Sequence, residues 1–224
     1  MGFYSNYPDS ALRFGDVVQG FVFATVRLDE PFLADTGGTP YLDDSAYSVD
    51  ISLPRFSVIM SPSCSIGDRM VSLAPLLKVK YRFFENEYYA EDLTNINRRM
   101  KPQQTLPRHV WDDELTRKDR EEKMSQGNAY ALVELFAYER HDLFPMYTLK
   151  EKKKADISTN YYMIDFRNIQ YVNCGSVASA ERSPLKSKVL QLSDDARREL
   201  WEKLINYYTR ESQAAPSSVK PTVV

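Results

Sequence analysis

Residues 161–172 read YYMIDFRNIQYV, and this stretch decides the fold class of the chain. Apolar Tyr162, Ile164 and Phe166 alternate with residues that include Asp165. This two-residue period is typical of a β-strand with one buried face. Three further stretches are rich in β-branched and aromatic residues and are bounded by turn formers: 16–26, 55–61 and 69–74. The pattern therefore predicts a mainly β (α+β) domain whose sheet is barrel-like.

A helix is predicted at 194–210, packed on this sheet. Ser193 is a suitable N-cap, and the two acids that follow it suit the positive end of a helix dipole. The apolar stripe predicts that Trp201 and Leu204 are largely buried. Residues 129–138 are apolar throughout and fit either a buried strand or a core helix, because periodicity does not separate the two.

The chain is interpreted as one domain with an insertion. Ten of the fourteen residues from 111 to 124 are charged, so this part cannot line a core without leaving ionised groups unpaired. The predicted segments are an N-terminal arm (1–12), a barrel core (13–99), a charged insertion or linker (100–127), the remaining sheet and C-terminal helix (128–211) and a disordered tail (212–224).

Composition limits the function classes. The net charge is -2, so the molecule as a whole does not attract polyanions and any nucleic-acid contact must be a local patch. The sequence shows no signal peptide and no apolar run of membrane-spanning length, which predicts a cytoplasmic protein without membrane contact. Phosphate loops, metal-ligand clusters and nucleophile elbows are also missing from it. We therefore expect neither a cofactor nor a bound metal.

A basic and aromatic stretch follows the third predicted strand. Lys78, Lys80 and Arg82 alternate there with aromatic residues such as Tyr81. This mixture can stack bases while it neutralises phosphates, which makes these four residues candidates for nucleic-acid binding. The same pattern also fits a strand whose aromatic face belongs to the core.

Three short motifs carry a family resemblance. They are Gly15-Asp16-Val17-Val18 at the start of a strand, Arg55 ahead of the apolar strand that ends in Ser61-Pro62, and the strand ending Leu73-Ala74-Pro75. This arrangement over residues 13–80 resembles the PemK/MazF-type toxin barrels, which implies a small SH3-like barrel. A wider resemblance, to poorly characterised bacterial proteins, comes from the turn 61–65, the strand 164–167 and the helix end 207–210.

The toxin barrels cleave RNA with an arginine and a hydroxyl and without a metal. Arg55 matches the arginine, but Leu77 stands where the hydroxyl is expected, so Ser61 or Ser63 would have to supply it. One hypothesis is therefore a non-catalytic binding or regulatory subunit in a bacterial toxin or antiviral defence setting. It would have a protein partner or form a homo-oligomer, and it would contact single-stranded RNA. The alternative is a metal-independent endoribonuclease.

Overall fold

The computed structural model describes residues 2–19, 21–28, 47–62, 65–66, 70–85, 92–94, 96–97, 114–125, 135–173 and 188–209. In these residues the chain is mainly β, as the sequence predicts, and it has two α-helices, α1 (Arg117–Ser125) and α2 (Asp194–Thr209). The strands are β1 (Val17–Gln19), β2 (Phe23–Leu28), β3 (Tyr47–Ser52), β4 (Phe56–Ile59), β5 (Met70–Lys78), β6 (Leu135–Tyr138), β7 (Tyr147–Leu149), β8 (Ile157–Thr159), β9 (Tyr162–Asp165), β10 (Gln170–Asn173) and β11 (Lys188–Leu190).

The larger sheet is antiparallel and is organised around β5. Its order is β11-β1-β4-β5-β9-β6, and β10 also pairs with β5. Two separate ribbons, β2–β3 and β7–β8, extend from it. The ambiguous stretch 129–138 ends as the strand β6, and its residues 129–134 lie outside the described residues.

The single strand predicted over 161–172 is two strands in the structure. β9 pairs Leu76 with Ile164, whereas β10 pairs Leu73 with Gln170, and the 3-10 turn Phe166–Asn168 separates them. The Asp165 side chain starts this turn by accepting the Arg167 N–H at 3.0 Å. The turn shifts the register, and all four side chains of β9 are buried, so this strand has no solvent face.

The sheet is open within the described residues, so it does not close into the small SH3-like barrel that the family resemblance implies. Its end strands are β11 and β6. An N-terminal segment lies between these ends: the Ser5 N–H donates to the Gln191 carbonyl at 2.9 Å. On the other side the Phe3 ring centroid lies 5.9 Å from those of Phe136 and Tyr138 in β6. Side-chain packing thus takes the place of strand pairing, and Phe3 belongs to the core although 1–12 was predicted as an arm.

Gly15 and Asp16 hold the first strand against the C-terminal part of the chain. Gly15 has a φ of +84°, and a Cβ placed there would lie 2.7 Å from Leu192 Cδ1. The Asp16 carboxylate is fully buried and lies 2.8 Å from Lys188 Nζ. Burial raises the pKa of Asp16, and the hydrogen bond from Lys188 opposes that shift. The positive φ and the close approach of Leu192 favour glycine at position 15, and the ion pair with Lys188 offsets part of the cost of burying the Asp16 carboxylate.

Helix α2 begins and ends close to the predicted positions. The Ser193 hydroxyl accepts the Ala196 N–H at 3.3 Å, as expected of the N-cap. Leu204 is buried, which confirms that prediction. Lys203 is also buried, and its Nζ donates to the Ile96 carbonyl at 2.8 Å.

The prediction that Trp201 is largely buried is wrong, since 42% of the residue is exposed. The buried face of α2 runs through Ala196, Leu200 and Leu204, and Trp201 lies beside it with its ring edge against Phe14. Neither described helix is long and apolar enough to span a membrane.

Candidate functional site

A groove of about 660 Å³ lies between the β2–β3 ribbon and the larger sheet. It is lined by the following residues: Phe23, Thr25, Ser52, Leu53, Pro54, Arg55, Phe56, Pro75, Leu76, Leu77, Lys78, Pro145, Met146, Tyr162, Asn168 and Gln170. Leu53, Leu77 and Met146 are among its exposed apolar residues, at 73%, 40% and 63%. The groove therefore offers an apolar surface to a ligand.

Two cationic side chains, Arg55 and Lys78, also line the groove. Arg55 precedes β4, and its guanidinium carbon lies 5.6 Å from the Phe56 ring centroid. Lys78 ends β5, and its Nζ lies 5.3 Å from the Tyr147 ring centroid. Both residues are exposed, and none of the described lining residues is Asp or Glu. The groove is therefore a local cationic site on a molecule whose net charge is -2.

Tyr162 lines the same groove as these two cations. Its hydroxyl donates to the Pro145 carbonyl at 3.1 Å. Burial raises the pKa of Tyr162, and the nearby Arg55 charge works in the opposite direction. The Tyr162 phenol is therefore a neutral hydrogen-bonding group at physiological pH and does not cancel the charge of Arg55.

The wall also carries hydroxyl and amide groups that the sequence analysis did not single out. The Gln170 Oε1 accepts the Ala24 N–H at 3.2 Å, and its Nε2 donates to the Thr25 hydroxyl at 3.4 Å. These two hydrogen bonds connect the β2–β3 ribbon to the larger sheet across the groove. Ser52 adds a second hydroxyl from β3. Gln170 is more than a hundred positions from both Thr25 and Ser52 in sequence, so no local motif could have brought the three residues together.

The serines predicted as candidate catalytic hydroxyls are placed differently. Ser61 is buried, its hydroxyl accepts the Ser72 N–H at 2.7 Å, and it is not among the groove-lining residues. This contact gives Ser61 a structural role, since it joins the residues after β4 to β5. Ser63 lies outside the described residues.

The four predicted nucleic-acid-binding residues fall into two groups. Lys78 lines the groove, whereas Lys80, Tyr81 and Arg82 follow β5 and do not line it. The Tyr81 hydroxyl donates to the Ala155 carbonyl at 2.8 Å, which places it against the turn that joins β7 and β8. Tyr81 therefore lies beside the β7–β8 ribbon, and the structure brings only Lys78 of the four residues into the groove.

The aromatic side chains of this stretch divide in the same way. Phe83 is buried in a core cluster, as the alternative interpretation of the stretch expects, while Tyr81 is partly exposed. The alternation of basic and aromatic residues thus serves both the core and the surface.

The described residues contain no group of three His, Cys, Asp or Glu side chains that could hold a metal ion. His141 lies outside the groove, and its Nδ1 accepts the Leu143 N–H at 3.2 Å. The second histidine, His109, lies outside the described residues, as do Cys64 and Cys174. The chemistry available in the groove is therefore that of Arg55, Lys78, hydroxyls and amides.

No protein-family model, curated protein or solved structure matches this chain.

Proposed function

We propose that this chain is a non-catalytic binding module of the PemK/MazF type, and that its groove binds a segment of single-stranded RNA in a bacterial toxin or antiviral defence setting. One observation carries the proposal: Arg55 and Lys78 share an apolar groove whose described lining has no carboxylate. A guanidinium and an ammonium bind phosphates. The apolar wall between them offers contact area for bases.

The family resemblance supports the same groove. Three positions matched to the toxin barrels are Arg55, Pro75 and Leu77, and all three line it. The position expected to carry a hydroxyl therefore lines the groove that holds Arg55, and Leu77 supplies only an aliphatic side chain there. Loss of one contact that acts in the transition state lowers the rate by about 10²- to 10³-fold. This substitution supports binding without cleavage.

A second candidate function is the metal-independent endoribonuclease, and a specific observation favours it. Thr25 and Ser52 place hydroxyl groups in the wall of the groove that holds Arg55. A hydroxyl beside an arginine is the pair of groups that this chemistry requires.

Binding and cleavage can be tested in one experiment. Purified protein is mixed with a fluorescein-labelled, mixed-sequence 12-nucleotide single-stranded RNA in EDTA, and binding is followed by fluorescence anisotropy. Arg55→Ala and Lys78→Ala should each weaken binding about tenfold, which is the cost of one charge-assisted hydrogen bond. Lys118→Ala, on the exposed face of α1, is the matched control and should bind like the wild type.

Two results would contradict the proposal. Wild-type protein that does not bind the RNA, or groove variants that bind it as the wild type does, would remove RNA binding from the groove. The same samples are then separated on a denaturing gel. Cleavage by wild type that is lost in both Arg55→Ala and Thr25→Ala would replace the binding module with the endoribonuclease.

A further inference from the structure

The groove continues directly into the β7–β8 ribbon. Pro145 and Met146 line the groove, and β7 begins at the next residue, Tyr147. The Tyr147 hydroxyl accepts the Val79 N–H at 2.8 Å. Its ring also lies beside Lys78, which belongs to the groove. The base of the ribbon is therefore fixed at the Lys78 end of the groove.

Residues 150–156, with the sequence KEKKKAD, form the turn that joins β7 and β8, the β7–β8 tip. Its two acids are already paired: Asp156 lies 3.9 Å from Lys150 Nζ, and Glu151 lies 3.5 Å from Lys154 Nζ. Lys152 and Lys153 are exposed, and neither forms an ion pair within the described part of the chain. These two lysines leave the tip with uncompensated positive charge.

The tip is held in place by residues that follow β5. The Tyr81 hydroxyl donates to the Ala155 carbonyl, and Lys154 Nζ lies 5.2 Å from the Tyr81 ring centroid. Lys154 also pairs with Glu85. At Lys153 the backbone turns through a φ of +65°, in the left-handed region. An anchored turn presents its charges with a smaller loss of conformational entropy on binding than a free chain would.

We infer that a single strand of RNA bound in the groove continues past Lys78 along the β7–β8 ribbon, where Lys152 and Lys153 bind its next phosphates. This inference rests on the proposed function of the groove. The three residues of β7 separate the groove from the tip by roughly 10 Å, at about 3.3 Å per residue. A ligand that contacts both the groove and the tip must therefore span this distance. Because both places carry cations, such a ligand is an extended polyanion and is longer than a strand confined to the groove.

The test compares a 4-nucleotide with a 12-nucleotide mixed-sequence RNA, both labelled with fluorescein, at salt concentrations from 50 to 200 mM. The tip variant is Lys152→Gln with Lys153→Asn, because asparagine tolerates the left-handed backbone. The control, Lys118→Gln with Arg198→Gln, removes two exposed charges from the helices. Each phosphate contact to a single strand contributes about 0.7 to the slope of log affinity against log salt.

For the 12-nucleotide RNA, the tip variant should lower this slope by about 1.4, so that its affinity falls about sevenfold less than that of the wild type over this salt range. The control variant should have the wild-type slope on the 12-nucleotide RNA. On the 4-nucleotide RNA, the tip variant and the wild type should have the same slope. An unchanged slope for the tip variant on the long RNA, or an equal change in the control, overturns the inference and leaves the groove proposal standing. Loss of slope in the tip variant while Arg55→Ala has no effect on the 4-nucleotide RNA overturns the groove proposal, and with it the continuous path.

Discussion

Replacing Lys203 with methionine should remove a pH dependence of stability that this buried lysine creates. Only 3% of Lys203 is exposed, and its Nζ reaches the carbonyl of Ile96. Burial lowers the pKa of Lys203 from 10.5 to about 7, against the opposing effect of the Glu199 carboxylate. Between these two values the unfolded chain holds a proton that the folded chain has released. The free energy of unfolding must therefore rise with pH in this range.

The size of the effect follows from the two pKa values. One pKa unit corresponds to about 1.4 kcal/mol. The folded lysine is half protonated at pH 7, so the gain between pH 7 and pH 9 is about 2 kcal/mol after that partial titration is taken into account. Because Lys203 is almost fully buried, solvent screening does not reduce this figure much. The Lys203→Met variant, which keeps the length of the side chain, should lack the gain.

Urea unfolding of the wild type and the variant, followed by tryptophan fluorescence at pH 7, 8 and 9, measures the free energy of unfolding of each protein. The range stops at pH 9 because burial raises the pKa of several tyrosines, and their titration would act at higher pH. The wild type should gain about 2 kcal/mol relative to the variant. Equal pH dependence in the two proteins would show that Lys203 titrates normally, and the reasoning from its burial would be refuted.

Four other changes test the packing by urea unfolding. Leu204→Ala should cost about 2–5 kcal/mol, and Trp201→Ala less than about 2 kcal/mol because Trp201 is half-exposed; the reverse order would contradict the assigned face of α2. Gly15→Ala should cost about 1–3 kcal/mol, since the new methyl group meets Leu192 and the φ is positive, and a neutral effect would mean that this junction yields easily. Deleting 100–127 and joining its flanks with a short Gly/Ser linker should preserve cooperative unfolding, and its loss would make that segment structural.

The sequence predicted the mainly β class because strand periodicity is a local property. It missed β3 (Tyr47–Ser52), which lies between the strands predicted at 16–26 and 55–61. The strand has the alternation, but its apolar Val49 and Ile51 face solvent, at 49% and 68% exposed. Neither the N-terminal packing of Phe3 nor the open sheet could be predicted, since both depend on contacts between distant parts of the chain.

The candidate site, too, could be predicted only in part from the sequence. Arg55 and Lys78 were each identified from local patterns, but their common groove depends on how β5 pairs with β4 and β9. Ser61 has a suitable chemical group, yet the fold turns its hydroxyl toward the backbone of Ser72. The burial of Lys203 could not be predicted from the sequence, because a lysine on a helix is ordinarily solvated. Side-chain direction and burial are properties of the tertiary structure.

The segment that joins the two ends of the sheet has a consequence for the order in which the protein folds. Phe3 packs on β6, and the backbone near it pairs with residues 191–193, so these contacts join parts of the chain separated by more than a hundred residues. During synthesis the Phe3 ring stays exposed until β6 has left the ribosome, and its backbone partners follow later still. Contacts of such large sequence separation slow folding. We therefore expect the final closure to be a late and slow step, during which the newly made chain depends on chaperones to keep this apolar segment from aggregating.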